Sequence, residues 1–411
     1  MKKLLPTVAL FLILASSWAA DAPRRFFETG FDLGVAASNN YIGLTDFFQE
    51  TLVIDLDQIA ADLSKPGFRL SGGADAAWLM NLNLGKTLQM GVFFGLQGTT
   101  YGNVPGSLFE LIAEGNTLDK AYTGDFLMWG DLNVELGAHV GTRIPTPVGP
   151  ITVDFKPVYY MPLIHIEDPK TTYLFETRSD GTVVASLNAT VPIYSVVSLE
   201  GIDSGINTNE AISNLFGSGG LDLSVTGEYQ LFPVLAVGAS LKQIPIVPAR
   251  LSSRALMTAT YSVETQSVLD GVSLGAEEEG EEETDMFTTT EESDFTYDSS
   301  NVSFVRPFKI GLHAGYTPFG KLLTVTPSLG LGIYNSVFME CGLEGKLNLA
   351  NILILSLGTQ YEDLAWSQQL RMIFNLRVLE LNLFVGAQSP SFLKSFTGAG
   401  LGAGLGVRMG F

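Results

Sequence analysis

The chain ends in the segment Leu401-Gly-Ala-Gly-Leu-Gly-Val-Arg-Met-Gly-Phe411, which alternates strictly between two kinds of residue. The odd-numbered positions are apolar, whereas the even-numbered positions hold glycines and Arg408. Because successive side chains of a β-strand point to opposite sides, a period of two predicts a strand with two unlike faces. We assign the apolar side chains to one face, and Arg408 with the glycines to the other.

The same alternation recurs along the chain and is longest from Phe126 to Arg143. Apolar side chains alternate there with charged ones of both signs, such as Asp131 and Glu135. A strand of a soluble sheet has about 5–6 residues, and this segment is roughly three times longer. A face toward lipid and a face toward a lumen explain it better than a core and a surface. Similar segments bring the predicted count to about 14 strands, within the range of bacterial membrane barrels.

The composition favours a membrane barrel as well. Mean hydropathy is +0.25, and only 16% of the residues are charged, against about a quarter in soluble domains. Beyond the N-terminal segment there is no apolar run of about 18 residues, the minimum for a membrane helix. We therefore predict an all-β membrane protein, a closed antiparallel transmembrane β-barrel. The net charge of −20 argues against a nucleic-acid partner, which requires a basic surface.

The N-terminus has the features of a secretory signal peptide, predicted over residues 1–20. Lys2 and Lys3 precede an apolar stretch that is too short to span a bilayer, and small residues follow it. With the barrel, this predicts export to the cell outer membrane. Cys341 is the single cysteine, so no disulfide within the chain is expected.

Residues 21–65 are predicted to form an N-terminal helical segment, and 66–411 the barrel. Within 45–63, Phe48, Leu52 and Leu56 follow helical spacing. This segment is either a hatch in the barrel mouth, acting as a plug, or a short periplasmic helix.

Two connections are assigned by composition and spacing. Residues 265–301 are predicted to be a disordered acidic loop, because the acidic side chains between Glu277 and Asp298 repel one another. The alternative is a weak divalent-cation site or a surface that contacts a partner. The number of strands before residue 218 is also left open. Either residues 171–188 contain an extra hairpin around Asp180, or one periplasmic connection is long.

Two family resemblances are found. The terminal strand closing on Phe411 resembles the last strand of bacterial outer-membrane barrels, which implies that Phe411 is part of the signal read by the barrel-assembly machinery. The hairpin spanning 219–241, with its Gly-rich start, Asp222 and the apolar strand Leu235–Leu241, resembles the long-chain fatty-acid transporter-like (FadL-type) family. This second resemblance implies a 14-stranded barrel with an N-terminal hatch that moves hydrophobic molecules. The start of the mature chain does not match the family's N-terminal motif.

Candidate binding residues come from the two ends of the predicted path. The lumenal cations are predicted either to hold a carboxylate head-group or to brace the interior by pairing with acids; they are Lys156, Lys242, Lys309 and Arg408. Phe48, Leu52 and Leu56 would line the inner side of the helical segment. No catalytic residues, metal or cofactor are predicted, because the three histidines lack metal-binding spacing and the glycines at 398–404 lack the strand and helix of a nucleotide site.

The leading functional prediction is passive uptake of small hydrophobic molecules, such as long-chain fatty acids, by a monomeric barrel in outer-membrane lipid. The alternatives are a porin for polar solutes, and a surface interaction protein that displays the acidic loop. None of the three is an enzyme.

Overall fold

The computed structural model describes thirteen segments of the chain: 25–42, 56–65, 67–85, 87–147, 149–167, 169–197, 216–265, 287–320, 322–333, 337–362, 365–389, 392–397 and 400–411. The predicted signal peptide, Phe48 and Leu52 lie outside these residues.

The described residues are almost entirely β-strand. The strands are β1 (Phe27–Asn39), β2 (Phe68–Leu84), β3 (Leu88–Val104), β4 (Ala121–Ile144), β5 (Ile151–Ile166), β6 (Lys170–Thr177), β7 (Val183–Ser195), β8 (Gly220–Phe232), β9 (Leu235–Val247), β10 (Ala249–Thr265), β11 (Phe287–Phe304), β12 (Phe308–Tyr316), β13 (Leu323–Ile333), β14 (Val337–Leu349), β15 (Leu353–Glu362), β16 (Ala365–Asn375), β17 (Leu379–Ser389) and β18 (Gly400–Gly410). The helices are α1 (Leu56–Leu63), α2 (Gly106–Glu114) and a 3-10 helix, Lys394–Thr397. No helix in the described part of the chain is long and apolar enough to cross a membrane.

The sheet closes on itself through its first and last strands. β1 pairs antiparallel with β2 and also with β18, where Glu28 lies opposite Gly410 and Ser38 opposite Gly400. The closed antiparallel barrel predicted from the sequence is thus confirmed, and no edge is left at the seam. The predicted boundary at residue 66 is wrong, because residues 27–39 are a wall strand and the barrel begins at Phe27.

The barrel ring can be followed from strand to strand. At the end that holds Phe27 and Phe411, here called the turn end, the ring consists of β1–β5, β8, β9 and β12–β18. At the opposite loop end, β6 and β7 extend the ring beyond the end of β5, because β4 pairs with β6, β6 with β7, and β7 with the last residues of β5. With these two strands the barrel has 16 strands, and the expected count of about 14 was too low.

The pair of β6 and β7 is the hairpin that the sequence left open. β6 and β7 are joined by a turn in which the Arg178 carbonyl accepts a hydrogen bond from Gly181 N at 2.9 Å. Asp180 lies in this turn and its Oδ1 accepts from Thr182 N, which lowers the pKa of the Asp180 carboxyl. The hairpin around Asp180 was the correct alternative.

Beyond the wall, the strands continue as a loop-end sheet, defined here as β6, β7, β10 and β11. β10 follows β9 after one residue, and β11 runs into β12 through residues 305–307. β10 pairs with β7 on one side and β11 on the other. The predicted disordered loop 265–301 is thus wrong for residues 287–301, which belong to β11; residues 266–286 lie outside the described residues.

The two faces of the barrel wall have the polarity that the sequence predicts. Outward side chains are apolar and exposed, as for Leu357 (66% exposed) and Leu329 (62%), whereas the inward-facing Lys309 is 3% exposed. In β18, Leu405 and Met409 are exposed and Arg408 is buried. A continuous apolar exterior of this kind fits contact with lipid along the wall.

The helices lie at the loop end and not in a separate N-terminal unit. α1 lies in the β1–β2 connection and packs on α2, which connects β3 to β4. The buried Leu63 ends α1, and its carbonyl accepts from Gly67 N at 2.8 Å. The predicted helix is thus present over 56–63, at the loop end. Its action as a plug and the alternative of a short periplasmic helix both stay predictions.

Candidate functional site

Arg306 forms an ionic bridge inside the loop-end half of the barrel. Its guanidinium pairs with Glu135 of β4 and, at 2.5 Å, with Asp222 of β8, and it lies 4.7 Å from the centroid of the Tyr160 ring. The side chains of Arg306 and Asp222 are 6% and 2% exposed. Buried carboxylates are stable only when they are paired. Through these contacts, Arg306 holds β4, β5 and β8 together across this part of the lumen.

The position of Arg306 follows from the apolar residues next to it. Phe304, at the end of β11, packs against Tyr160 of β5 and His165, with ring centroids 6.1 and 4.8 Å apart. Tyr160 also donates a hydrogen bond to the Phe304 carbonyl at 3.0 Å. The core cluster that contains Phe304 also includes Leu251 of β10, which is fully buried. This cluster anchors the β11–β12 connection to β5, so Arg306 reaches strands far from β12 in the wall.

Lys156 joins the same group of charges. It lies on β5, its Nζ is 4.3 Å from the centroid of the Phe93 ring, and it interacts electrostatically with Glu135 and Asp222. The site therefore brings Lys156 and Arg306 together with Glu135 and Asp222 around aromatic rings, and Asp154 also interacts electrostatically with Lys156. Pairing of this kind is what the bracing interpretation of the lumenal charges expects.

A second network lies at the turn end, across the closing seam. Arg408 of β18 pairs with Glu380 of β17 at 3.2 Å and with Asp32 of β1 at 3.3 Å. Arg25 pairs with Glu28 at 3.0 Å and donates to the side chain of Asn375 on β16 at 2.9 Å. The seam thus carries side-chain bonds inside the wall in addition to its backbone pairing.

Lys242 and Lys309 lie directly opposite each other on β9 and β12. Lys309 Nζ donates to Glu340 of β14 at 2.6 Å and lies 5.2 Å from the Phe338 ring. The negative charge of Glu340 offsets the repulsion between the two lysines.

The structure therefore places the four predicted cations in three locations and does not bring them into one site. Leu56 lies in α1 at the loop end, and Phe411 is 75% exposed with its ring 5.8 Å from that of Phe27. Binding by Leu56 or the cations, and the role of Phe411 in assembly, remain predictions.

One face of the loop-end sheet is apolar. Along β10, this face starts with Ala249 and Leu251 and continues through Met257 to Tyr261. Opposite Met257 lie Val191 of β7 and Phe295 of β11.

The strand pairing connects this face with the outward face of the wall. Tyr261 lies opposite Leu187 of β7, Leu187 opposite Tyr173 of β6, and Tyr173 opposite Gly124 of β4. Gly124 shares its face of β4 with Met128 and Leu136, which are exposed on the outside of the wall.

The aromatic part of this face is open to solvent. Phe295 and Tyr297 are 53% and 45% exposed and stack with their centroids 6.5 Å apart. The other face of the same strands is polar, with Thr258 between Thr190 and Asp294. An exposed apolar face at the loop end is a candidate surface for capturing apolar molecules. We call the residues Leu187, Met257, Tyr261, Phe295 and Tyr297 the apolar sheet face.

A shallow depression lies in the lumenal wall near the loop end. Its floor is a row of small residues, in which Gly402 of β18 lies between Ala36 of β1 and Gly386 of β17. Phe384 and the amides of Gln369 and Gln388 also line it.

At the rim, α2 is held to the start of β4. Ser107 and Tyr173 of β6 share a hydrogen bond of 2.6 Å, and Lys120 donates to Glu110 at 2.5 Å. This hydrogen bond raises the pKa of Lys120, which lies outside the wall strands. α2 is thus fixed beside the loop-end sheet.

Sequence reasoning missed Arg306 and the apolar sheet face. Arg306 lies in a short connection without alternation, and only the following Pro307 marked a break. The β11 residues were hidden by their acidic neighbours, although the alternation from Glu291 to Tyr297 is visible once β10 is known to pair with it.

Comparisons with known proteins concern the fold alone. No protein-family model and no curated protein sequence matches the chain. Among solved structures, it is similar to the P. putida toluene transporter TodX, with a TM-score of 0.46 and 9% identity over 96% of this chain and 91% of that one. It is also similar to the Ralstonia pickettii toluene transporter TbuX, with a TM-score of 0.45 and 7% identity over 94% and 90%. A more distant similarity is to the translocator domain of the autotransporter NalP from Neisseria meningitidis, with a TM-score of 0.33 and 8% identity over 97% of this chain and 92% of that one. Hydrocarbon transporters are thus among the similar structures.

Proposed function

We propose that this barrel takes up small hydrophobic molecules passively across the outer membrane. The observation that carries the proposal is the apolar sheet face, an exposed aromatic surface at the loop end. Low sequence identity and TM-scores below 0.5 carry no argument about substrate, so the proposal rests on the barrel's own surfaces.

The proposed path begins at the loop end, which we place on the cell exterior. An apolar molecule leaves water on the apolar sheet face, because burying its surface there is favourable. It then crosses the rim into the polar lumen and passes the bridge made by Arg306. The bridge separates the capture surface from the turn end, so movement of Arg306 or of the residues around it is required for passage.

The substrate class is compared in the assay itself. Molecules of about one ring, or short chains, form one class, and long-chain fatty acids form the other.

The test is a binding titration with the protein in lipid nanodiscs. The small apolar fluorophore N-phenyl-1-naphthylamine and labelled oleate serve as probes. The double variant Phe295→Ser, Tyr297→Ser is expected to weaken binding of the small probe about tenfold, because about 1.4 kcal/mol of apolar contact corresponds to that factor.

The matched control is Thr258→Ala, on the polar face of the same sheet, which should leave binding unchanged. Equal binding by the double variant and the wild type would contradict capture on this face. A channel for polar solutes predicts instead that neither probe binds and that small sugars pass freely.

A further inference from the structure

The connection between β17 and β18 folds onto the outer surface of the barrel. Gln368 shares its face of β16 with Leu370, which is 48% exposed on the outside of the wall. The Gln368 amide donates to Ser395 of the 3-10 helix at 2.9 Å. Ser389, on the outward face of β17 with Val385, is only 1% exposed, and the 3-10 helix packs on this strand.

This connection extends a row of aromatic rings along the outer rim. Tyr361 lies 5.1 Å from Trp366, Trp366 lies 4.9 Å from Phe392, and Phe392 lies 5.4 Å from Phe396, all between ring centroids. The row therefore runs from outward-facing wall residues into the 3-10 helix.

Among the residues that the structure describes, nothing covers the apolar side chains of the connection to an extent that matches their size. Phe392, Leu393 and Phe396 are 42%, 75% and 62% exposed, whereas Ser395 between them is fully buried. Ser395 also donates to the Phe392 carbonyl at 2.5 Å. The polar side of the turn is thus bonded to the wall, and its apolar side is left outward.

We propose that residues 392–397 are a lipid anchor, which inserts Phe392, Leu393 and Phe396 into the outer leaflet of the membrane beside the barrel. The occupant is lipid because these side chains continue the apolar exterior of the wall, where Leu357 and Leu370 are exposed. Aromatic residues are enriched at this level of membrane barrels, where apolar chains meet head-groups. The anchor fixes the loop end of the last hairpin, whose strand β18 closes the barrel.

The experiment places one tryptophan in the anchor of the full chain. Trp78, Trp129 and Trp366 are replaced by Phe, Leu393→Trp is added, and the protein is inserted in vesicles of phosphatidylcholine brominated near the start of its acyl chains. Trp18 lies in the predicted signal peptide. The lipid is expected to quench at least half of the fluorescence, and aqueous acrylamide to quench little.

Leu118→Trp in the same background is the matched control, because Leu118 is 61% exposed in the α2–β4 connection. It should show strong acrylamide quenching and no lipid quenching. Phe396→Trp provides a second probe should the first variant fail to fold, which heat-modifiable migration on gels reports. The anchor is overturned if the tryptophan at the anchor behaves like the control, or if neither quencher reaches it, which indicates cover by protein.

Discussion

Arg306 shows how a single side chain organises the loop-end half of the barrel. It is nearly buried, and its two carboxylate partners come from strands that are distant in sequence, at Glu135 and Asp222. Removing one member of such a group leaves the others charged and unpaired, which costs about 3–5 kcal/mol. The bridge is therefore important both for stability and for closing the lumen.

Arg306→Ala is expected to raise ion conductance in planar bilayers several-fold, because it removes the side chain that links β4 and β8 and leaves a local negative charge. Single-channel recording measures the change, with cations favoured over anions. Arg250→Ala is the control, since Arg250 is exposed at the start of β10. Unchanged conductance in Arg306→Ala would show that the bridge does not restrict the lumen.

Arg408 has the corresponding role at the closing seam. Arg408→Ala leaves the buried carboxylates of Asp32 and Glu380 without this positively charged partner. We therefore expect a loss of about 3 kcal/mol in the free energy of unfolding. Urea unfolding in lipid vesicles measures it. Arg143→Ala, at an exposed position at the turn end of β4, should change stability by less than about 0.5 kcal/mol. Equal losses in the two variants would refute the special role of the seam.

At the scale of elements, the main difference from the sequence interpretation is β11. The acidic side chains of residues 277–298 indicated disorder, yet Ala259 of β10 lies opposite Ser293 of β11. The acids of β11 are tolerated because they remain exposed to water. Glu292, Asp294 and Asp298 lie on the face away from Phe295 and Tyr297, whereas Glu291 shares the aromatic face. The local charge therefore predicted the wrong structure for β11, because pairing with a distant strand decides the structure of this segment.

The register of β10 and β11 can be tested by cross-linking. Ala259→Cys with Ser293→Cys, in a Cys341→Ser background, should form a disulfide rapidly under mild oxidation, because directly opposite residues bring their Cβ atoms within reach. Ala259→Cys with Thr296→Cys is the mismatched control and should react slowly. Mobility on non-reducing gels measures the yield. Similar slow rates for both pairs would support a disordered segment instead.

The terminal strand was predictable in detail because its alternation is unbroken. Burial of Arg408 and exposure of Leu405 match the predicted faces. β1 was missed because the capped helical pattern that follows it dominated the reading of residues 21–65, and its own alternation includes glycines, Gly30 and Gly34, that give no apolar signal. The Arg306 bridge was not predictable, since it depends on how far the β11–β12 connection reaches across the barrel.

At the scale of the whole molecule, the barrel keeps the same polarity toward its loop end. The wall is apolar outside and charged inside, and the apolar sheet face is continuous, through Leu187, Tyr173 and Gly124, with the outward face of β4. Phe295 and Tyr297 are therefore exposed at the outer rim, where they can meet an apolar molecule before it enters the lumen. This placement favours capture of apolar molecules at the loop end.

Uptake by intact cells tests the central claim most directly. Cells without the gene, and the same cells carrying wild-type protein or the Phe295→Ser, Tyr297→Ser variant, are compared for initial uptake of a labelled single-ring hydrocarbon and of a labelled small sugar. The account predicts that wild-type protein raises hydrocarbon uptake several-fold, that the variant loses most of this gain, and that sugar uptake is unchanged. Equal hydrocarbon uptake with and without the protein, or a rise in sugar uptake alone, would contradict the account.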